Sequence, residues 1–336
     1  MAQPHNLIID THSHAIMKRW LRALAASRGP DAGPLHIAGS PVPDWSPAIH
    51  VEMMDAHGIA ATVMSWPSAT SFLTGQAARS LARAMNEEFA EAIARHPGRF
   101  GAVAILPWDD MDAAQEEMAY ALDTLKLDGV SAATHYRGTY LGSDVHQELL
   151  AEMNRRRTVL FVHPTTPLGF DLVGMGINAS ILEFMFDSTR MATNMVLSGS
   201  KARFPAIDVI CTHGGGTVPY LASRIGILEM QYGAGNGRPT LSAEEIQAGL
   251  ASFHYDLTAS TAAAQLDAIR HLVPVDRLLL GFDYPMMPSS SIAPSRSRLD
   301  AYPSWTAEEK SRICAGNAQR LFPALAARMA AAGGTA

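Results

Sequence analysis

The chain has 336 residues, 48% of them hydrophobic and 17% charged, with a formal net charge of −6. That balance suits a large buried core and excludes intrinsic disorder; no long basic stripe offers a nucleic-acid footprint, and no apolar run approaches the ~20 residues of a membrane span. Two cysteines, Cys211 and Cys314, build no disulfide framework, which points to a reducing cytoplasm.

The start, "MAQPHN", lacks a basic stretch followed by an apolar one, so no signal peptide is expected. Eight short apolar runs then recur: "LIIDTHSH" (7–14), "ATVMSWP" (61–67), "FGAVAILP" (100–107), "GVSAAT" (129–134), "VLFVHP" (159–164), "DVICTHGG" (208–215), "FHYDLTA" (253–259) and "RLLLGFDYP" (277–285). Several are almost wholly apolar, as parallel strands covered on both faces must be.

Helical patterns separate them. Leu73, Ala77, Leu81, Met85, Phe89 and Ile93 recur four apart within 71–96, an amphipathic stripe. Helices are also predicted over 112–126, 144–157, 217–231, 262–272 and 306–321, with capping boxes at Ser242–Glu245 and Thr306–Glu309. The segment 180–198 is apolar around most of its circumference and is read as a subunit interface rather than a deeply buried helix. Residues 17–46, 165–180 and 284–298 read as long insertions, and "ALAARMAAAGGTA" as a fraying helix end and tail.

Eight strands alternating with helices predict a (β/α)₈ barrel. The alternative, an open doubly wound sheet, calls for a Gly-rich loop after the first strand; here that strand ends in "HSHAIMKRW". Nothing marks a second domain, so residues 1–336 are expected to form one barrel domain, with its core over about 7–322 and a tail over 323–336.

Polar residues gather at strand ends. Asp10, His12 and His14 are two apart, which places them on one face of a regular strand. His163, His213 and Asp283 close the fifth, sixth and eighth runs. In a barrel the C-terminal strand ends form the active-site face. Imidazoles with one carboxylate make a catalytic set for a divalent metal, with positions left for water and substrate. His12, His14, His163 and Asp283 are therefore the predicted ligands. His213, followed by three glycines, is read as doing general acid/base work beside the metal in preference to being a fourth histidine ligand. Asp10 is read as supporting the site from below, Cys211 as packing, and Asp256 as outside the site. His50, His57 and His135 are read as ordinary polar positions. Trp66, Trp108, Tyr136, Phe170 and Phe282 lie near strand ends and suggest an aromatic-friendly pocket.

"IDTHSH", "FVHP", "THGGGTVPYLASRI", "LLLGFDYP" and "ICAGNAQRLF" together resemble the amidohydrolase superfamily, and within it the branch of metal-dependent, non-oxidative decarboxylases. The resemblance spans residues 8 to about 322. It implies a divalent ion, zinc before manganese, on His12, His14, His163 and Asp283, with His213 moving protons; in the expected reaction Asp283 is the other candidate proton donor. It also implies that Arg224 reaches the neighbouring subunit's site in a homodimer or larger homo-oligomer; Trp66 and Phe282 are expected beside the substrate from their positions near strand ends. Two departures stand out. The first strand carries two histidines where aromatic-acid decarboxylases often begin with a glutamate motif. The helix "SPAIHVEMMDAHG" lacks the arginine that the semialdehyde decarboxylase places there, leaving His50 near that position.

The expected reaction is loss of CO₂ from a small aromatic or unsaturated carboxylic acid. The alternative is hydrolysis or hydration of a small ester, lactone, amide or enoate, which the same ligands would serve. A metal-binding scaffold without turnover is a third reading, and the complete ligand set stands against it.

Overall fold

The computed structural model describes residues 7–29, 33–37, 40–173, 175–233 and 240–333. The expectations for residues 1–6, for 30–32 and 38–39 of the first insertion, and for 334–336 lie outside the described residues.

Eight parallel strands follow one another round a ring: β1 (Ile9–His14), β2 (Ala61–Ser65), β3 (Phe100–Ala104), β4 (Gly129–Ala133), β5 (Val159–His163), β6 (Asp208–Cys211), β7 (His254–Asp256) and β8 (Leu278–Leu279). The ring closes where Thr11 N donates to Leu280 O at 2.9 Å and Ser13 bridges Tyr284. Every predicted run contains its strand, so the barrel expectation holds. The runs overshoot their ladders because their last residues turn into the loops that carry the polar groups. Asp283, for example, leaves the sheet with a φ of 58°.

Alternation sorts the apolar residues into two layers. Ile9, Val63, Val103, Phe161, Ile210 and Leu279 meet inside the ring. Ile8, Met64, Leu160, Val209, Cys211 and Leu278 belong to the larger cluster beneath the helices. The helix Gly75–Arg95 buries Leu81, Met85, Phe89 and Ile93, as the stripe predicts. Both capping boxes form.

Two expectations are corrected. Asp10, His12 and His14 do not simply share a face. The register of β1 on β2 slips between Asp10 and Ser13, so three steps on β1 span two on β2. This bulge re-aims the strand: Ile9 lies with Phe161 inside the ring, and so does His12, three positions on, with its ring edge-on to Phe161. Residues 323–333 do not fray either. They form the helix Pro323–Gly333, whose Leu325 joins the interior cluster and helps close the lower end of the barrel.

The segment read as an apolar helix over 180–198 is a helix at Glu183–Leu197 with one buried face, carrying Met191, Ala192, Met195 and Val196. Its N-terminal end and the loop before it leave apolar side chains exposed: Leu168, Leu172, Val173, Met175, Ile181 and Phe186. No described helix is long and apolar enough to cross a membrane.

Candidate metal centre

β1, β5 and the loop after β8 bring His12, His14, His163 and Asp283 together, with one donor atom of each within 4.8 Å of all the others. The strands approach closely here. A Cβ at Gly281 would stand 2.5 Å from His12 Cβ, so only glycine fits where β8 runs out beside β1.

Each imidazole is oriented from behind. His12 Nδ1 donates to Asp256 Oδ2 at 2.9 Å. His163 Nδ1 donates to Pro164 O at 2.7 Å. Ser65 Oγ gives its proton to Ser13 O, which leaves it to accept from His14 Nδ1 at 3.1 Å. With all three Nδ1 atoms carrying the proton, the Nε2 lone pairs face inward. There they meet a carboxylate: Asp283 Oδ1 is 2.9 Å from His14 Nε2 and 3.5 Å from His12 Nε2. His12 Nε2 and Asp283 Oδ1 are buried with no hydrogen-bond partner. Lone pairs converging in a buried space repel one another unless a cation stands among them. Three imidazole nitrogens and one carboxylate oxygen fit a divalent metal.

The electrostatics agree. Burial alone would raise the Asp283 carboxyl, but the His14 and His12 imidazoles beside it hold it well below the usual carboxylate range. Burial, followed by the neighbouring His14 and His12, pushes His163 far below the usual histidine value. His12 goes the other way. Burial opposes its charge, but Asp256 and then Asp283 keep its pKa raised. The centre thus attracts positive charge, and His163 is held neutral within it.

His213 stands beside the four, its Nε2 3.3 Å from His163 Nε2. Burial, then His12, lowers its pKa to about 4, so the ring is neutral near pH 7. Its backbone is in the left-handed region, with φ 54°, and is held there by Asp256 Oδ1, which accepts from His213 N at 3.0 Å. This turn separates it from Cys211, which points into the outer layer as packing.

Asp10 supports the site from below, as expected. Its Oδ1 accepts from His12 N and Phe282 N, and burial pushes its pKa up to about 7. Asp256 is the residue the sequence reading missed. It is fully buried, orients His12 and anchors His213. Its signal was the one that singled out His163: a polar residue closing an apolar run.

The pocket residues divide. Trp66 packs edge-on against His14, with centroids 5.3 Å apart. Phe282 is brought near only through its backbone; its ring is buried in the outer cluster. Trp108 and Tyr136 stack on each other away from the metal-facing rings, and Phe170 lies half-buried on the short helix Phe170–Val173. Arg224 is exposed on the helix Val218–Tyr232 and does not reach the centre of its own chain. His50, read as an ordinary polar position, is fully buried, where its Nδ1 accepts from Trp45 Nε1.

Known proteins share this architecture. An amidohydrolase family profile matches residues 9–324. The decarboxylase yanB of Aspergillus niger is 31% identical over 330 residues, covering 94% of this chain and 87% of its own. The 6-methylsalicylic acid decarboxylase of Penicillium expansum is 29% identical over 324 residues, covering 94% and 96%. Among solved structures, the 5-carboxyvanillate decarboxylase of Novosphingobium aromaticivorans superposes with a TM-score of 0.82 at 17% identity, covering 96% of this chain and 98% of that one; it is complexed with manganese and 4-hydroxy-3-methoxy-5-nitrobenzoic acid. With the barrel, the convergent donor set and these relatives together, the chain belongs to the amidohydrolase family, in its decarboxylase branch.

Proposed function

We propose that this protein removes CO₂, without redox change, from a small hydroxylated aromatic carboxylic acid at a divalent-metal centre formed by His12, His14, His163 and Asp283. The observation that carries this is the inward convergence of three Nε2 lone pairs on an unpartnered carboxylate oxygen, in a chain whose relatives are decarboxylases. Zinc suits three imidazoles and a carboxylate. Manganese, the ion in the 5-carboxyvanillate decarboxylase structure, also suits this donor set.

A divalent ion bound there would offset the negative charge of the substrate's carboxylate and of a neighbouring oxygen. The remaining chemistry belongs to side chains. Asp283 is ionised and His213 neutral near pH 7, so each enters as a proton acceptor. One of them takes the proton from the substrate's ring hydroxyl, which pushes electron density into the ring. The same proton is then delivered to the ring carbon bearing the carboxylate. The C–C bond breaks, its electron pair restores the aromatic ring, and CO₂ leaves. The phenolate product recovers a proton from solvent. Trp66, packed on His14, would form an aromatic wall for the ring.

The exposed apolar surface supports a homodimer. Tyr220, Ile227 and Met230 are exposed on the helix Val218–Tyr232, which is joined to the helix Glu183–Leu197 by the Thr189–Thr217 hydrogen bond of 2.8 Å. A second copy would cover this face and bring Arg224 to a carboxylate in the partner's site. Two free, buried cysteines suit a reducing cytoplasm.

The deciding experiment joins metal analysis of the purified protein to a CO₂-release screen over hydroxybenzoates and muconate-type acids. One divalent ion per chain with CO₂ release supports the reading. Protein without metal, or substrate that gains water and releases no CO₂, refutes it.

A further inference from the structure

Two of the three inward imidazoles have an evident side-chain support: Asp256 stands behind His12 and Ser65 behind His14. His163 has only the carbonyl of its neighbour, Pro164 O, which accepts from Nδ1 at 2.7 Å. That oxygen belongs to the peptide group joining Pro164 to Thr165. The group is trans, so its N–H points away from its C=O. The N–H, on Thr165, donates to Asp187 Oδ2 at 3.0 Å. A carboxylate, a peptide group and an imidazole are thus linked in series, and the series ends at the ring of a metal-facing histidine.

Asp187 lies on the helix Glu183–Leu197 and is fully buried. The groups bonded to it all donate: Thr134 Oγ1 and Thr165 N to Oδ2, and Tyr140 OH to Oδ1 at 2.6 Å. Burial, then the bond to Asp187, pushes the Tyr140 hydroxyl above its usual value and keeps it a donor. His135 Nε2 is 3.8 Å from Oδ1, beyond hydrogen-bond distance. Among the described residues no arginine or lysine pairs with Asp187. An amide in its place would accept from Thr165 N and Thr134 as well as the carboxylate does. It would lack only the charge, and a buried charge without a cation is costly to keep.

The surroundings hold the series rigid. Thr134, bonded to Asp187 through its hydroxyl, also donates its backbone N to His163 O at 3.0 Å. Phe184, on the same helix as Asp187, packs edge-on against the His163 ring with centroids 6.0 Å apart.

We propose that Asp187 is a positioning residue for the metal centre, acting on His163 through the Pro164–Thr165 peptide group. A negative charge at the N–H end of a peptide favours the resonance form with negative charge on its oxygen. Pro164 O then holds Nδ1–H more firmly, which fixes the ring and makes Nε2 a stronger donor to a cation. Asp256 does the same for His12 by direct contact. The inference rests on the metal-centre reading and deepens it, whichever reaction the centre performs.

Asp187→Asn isolates the charge. Its amide oxygen keeps the bonds from Thr165 N and Thr134, and its NH₂ faces the Tyr140 hydroxyl, which can turn to accept. Chelator competition on the full chain is expected to give a metal affinity about tenfold below wild type, the lower end of the range for a lost partner behind a metal ligand. The far-UV circular dichroism spectrum is expected to stay unchanged. In zinc-loaded protein isotope-labelled at histidine, the His163 Nδ1–H resonance is expected to move upfield as its hydrogen bond weakens. Tyr140→Phe takes a donor from Oδ1 and leaves the charge. Its affinity is expected to match or exceed wild type and its resonance to move downfield, and it decides the matter alone if Asp187→Asn does not fold. Equal affinity or an unmoved resonance in Asp187→Asn overturns the relay and leaves the metal centre standing. So does a loss of affinity in Tyr140→Phe, which a purely structural Asp187 would produce. Wild type without bound metal overturns both. Metal binding with the expected shifts but no CO₂ release ends the proposed reaction and leaves the relay in place.

Discussion

His12 and Asp256 lie 244 positions apart in the chain, yet Nδ1 and Oδ2 meet at 2.9 Å with both side chains fully buried. The carboxylate fixes the tautomer, and the tautomer decides whether Nε2 presents a lone pair or a proton to the centre. Asp256→Asn keeps the volume. Its Oδ1 can still accept from His213 N and Thr258 N, as the aspartate does at 3.0 Å. The amide NH₂ would then face His12 Nδ1, turn that nitrogen into an acceptor and put the proton on Nε2. Metal affinity should fall about 10- to 100-fold with the far-UV circular dichroism spectrum unchanged. A chelator-competition titration measures this, and equal affinities would remove the orienting role.

His163 and His213 should separate by role. His163→Ala removes an inward lone pair, so metal content and activity should both be lost while the barrel stays folded. His213→Asn keeps a polar side chain and leaves the four donors in place. It should retain much of the metal yet slow kcat by ~10² or more, the range of an acid/base group. Metal analysis alongside steady-state rates distinguishes the two; an unchanged rate in His213→Asn would return that residue to a packing role.

What could be read from the sequence followed from periodicity. "VLFVH" is apolar on both faces and closes on a histidine, so both the strand and the polar residue at its tip were legible, and the same holds for the placement of His213 and Asp283. Other features depend on what packs where. The slip between Asp10 and Ser13 leaves no mark in composition, so strict alternation put Asp10 on the wrong face. Asp256 closes a three-residue strand, and its importance depends on a ring from the other end of the chain. The Ala-rich end reads as a fraying tail until Leu325 is seen to complete the interior cluster.

Acid should destabilise the fold through histidines buried in the neutral form. Burial lowers His146 to about 4, with only the backbone bond to Tyr140 opposing it. The unfolded chain protonates this ring near pH 6.5. Between those values the unfolded state holds the extra proton, so stability is full above about pH 6.5 and falls as pH drops towards 4. His50, lowered to about 3 by burial and then by His14, extends the loss further into acid. In urea unfolding of metal-stripped protein at pH 5 to 6, His146→Leu should show a slope shallower than wild type by up to one proton, or ~1.4 kcal/mol per pH unit. Parallel slopes would mean that His146 titrates normally in the fold.

The exposed apolar face gives a test of assembly. Ile227 is 59% exposed between Tyr220 and Met230. Ile227→Glu would place a charge inside the proposed contact between copies. Sedimentation should then show a dimer for wild type and a monomer for the variant, with lower turnover in the variant because Arg224 no longer reaches a second site. A monomeric wild type with full activity would end both the dimer and the role of Arg224.

Arg328 tests whether the last helix belongs to the barrel. Its guanidinium approaches both oxygens of Asp128, at 3.0 and 2.9 Å, and that carboxylate side chain is only 1% exposed. Asp128 Oδ2 also accepts from Ala102 N, so the pair ties the helix Pro323–Gly333 to the start of β4 and to β3. Burial pushes the Asp128 carboxyl above its ordinary value even with the arginine beside it. Removing the cation leaves a buried charge that the fold must either neutralise or expose. Arg328→Ala should therefore cost on the order of 3 kcal/mol, seen as a lower urea midpoint, while metal content and turnover at 25 °C stay near wild type because the pair lies at the far end of the barrel from the centre. Arg328→Lys keeps the charge but not the planar guanidinium whose Nη2 contacts both carboxylate oxygens, and should fall between the two. A midpoint equal to wild type in Arg328→Ala would show that the terminal helix contributes nothing through this pair.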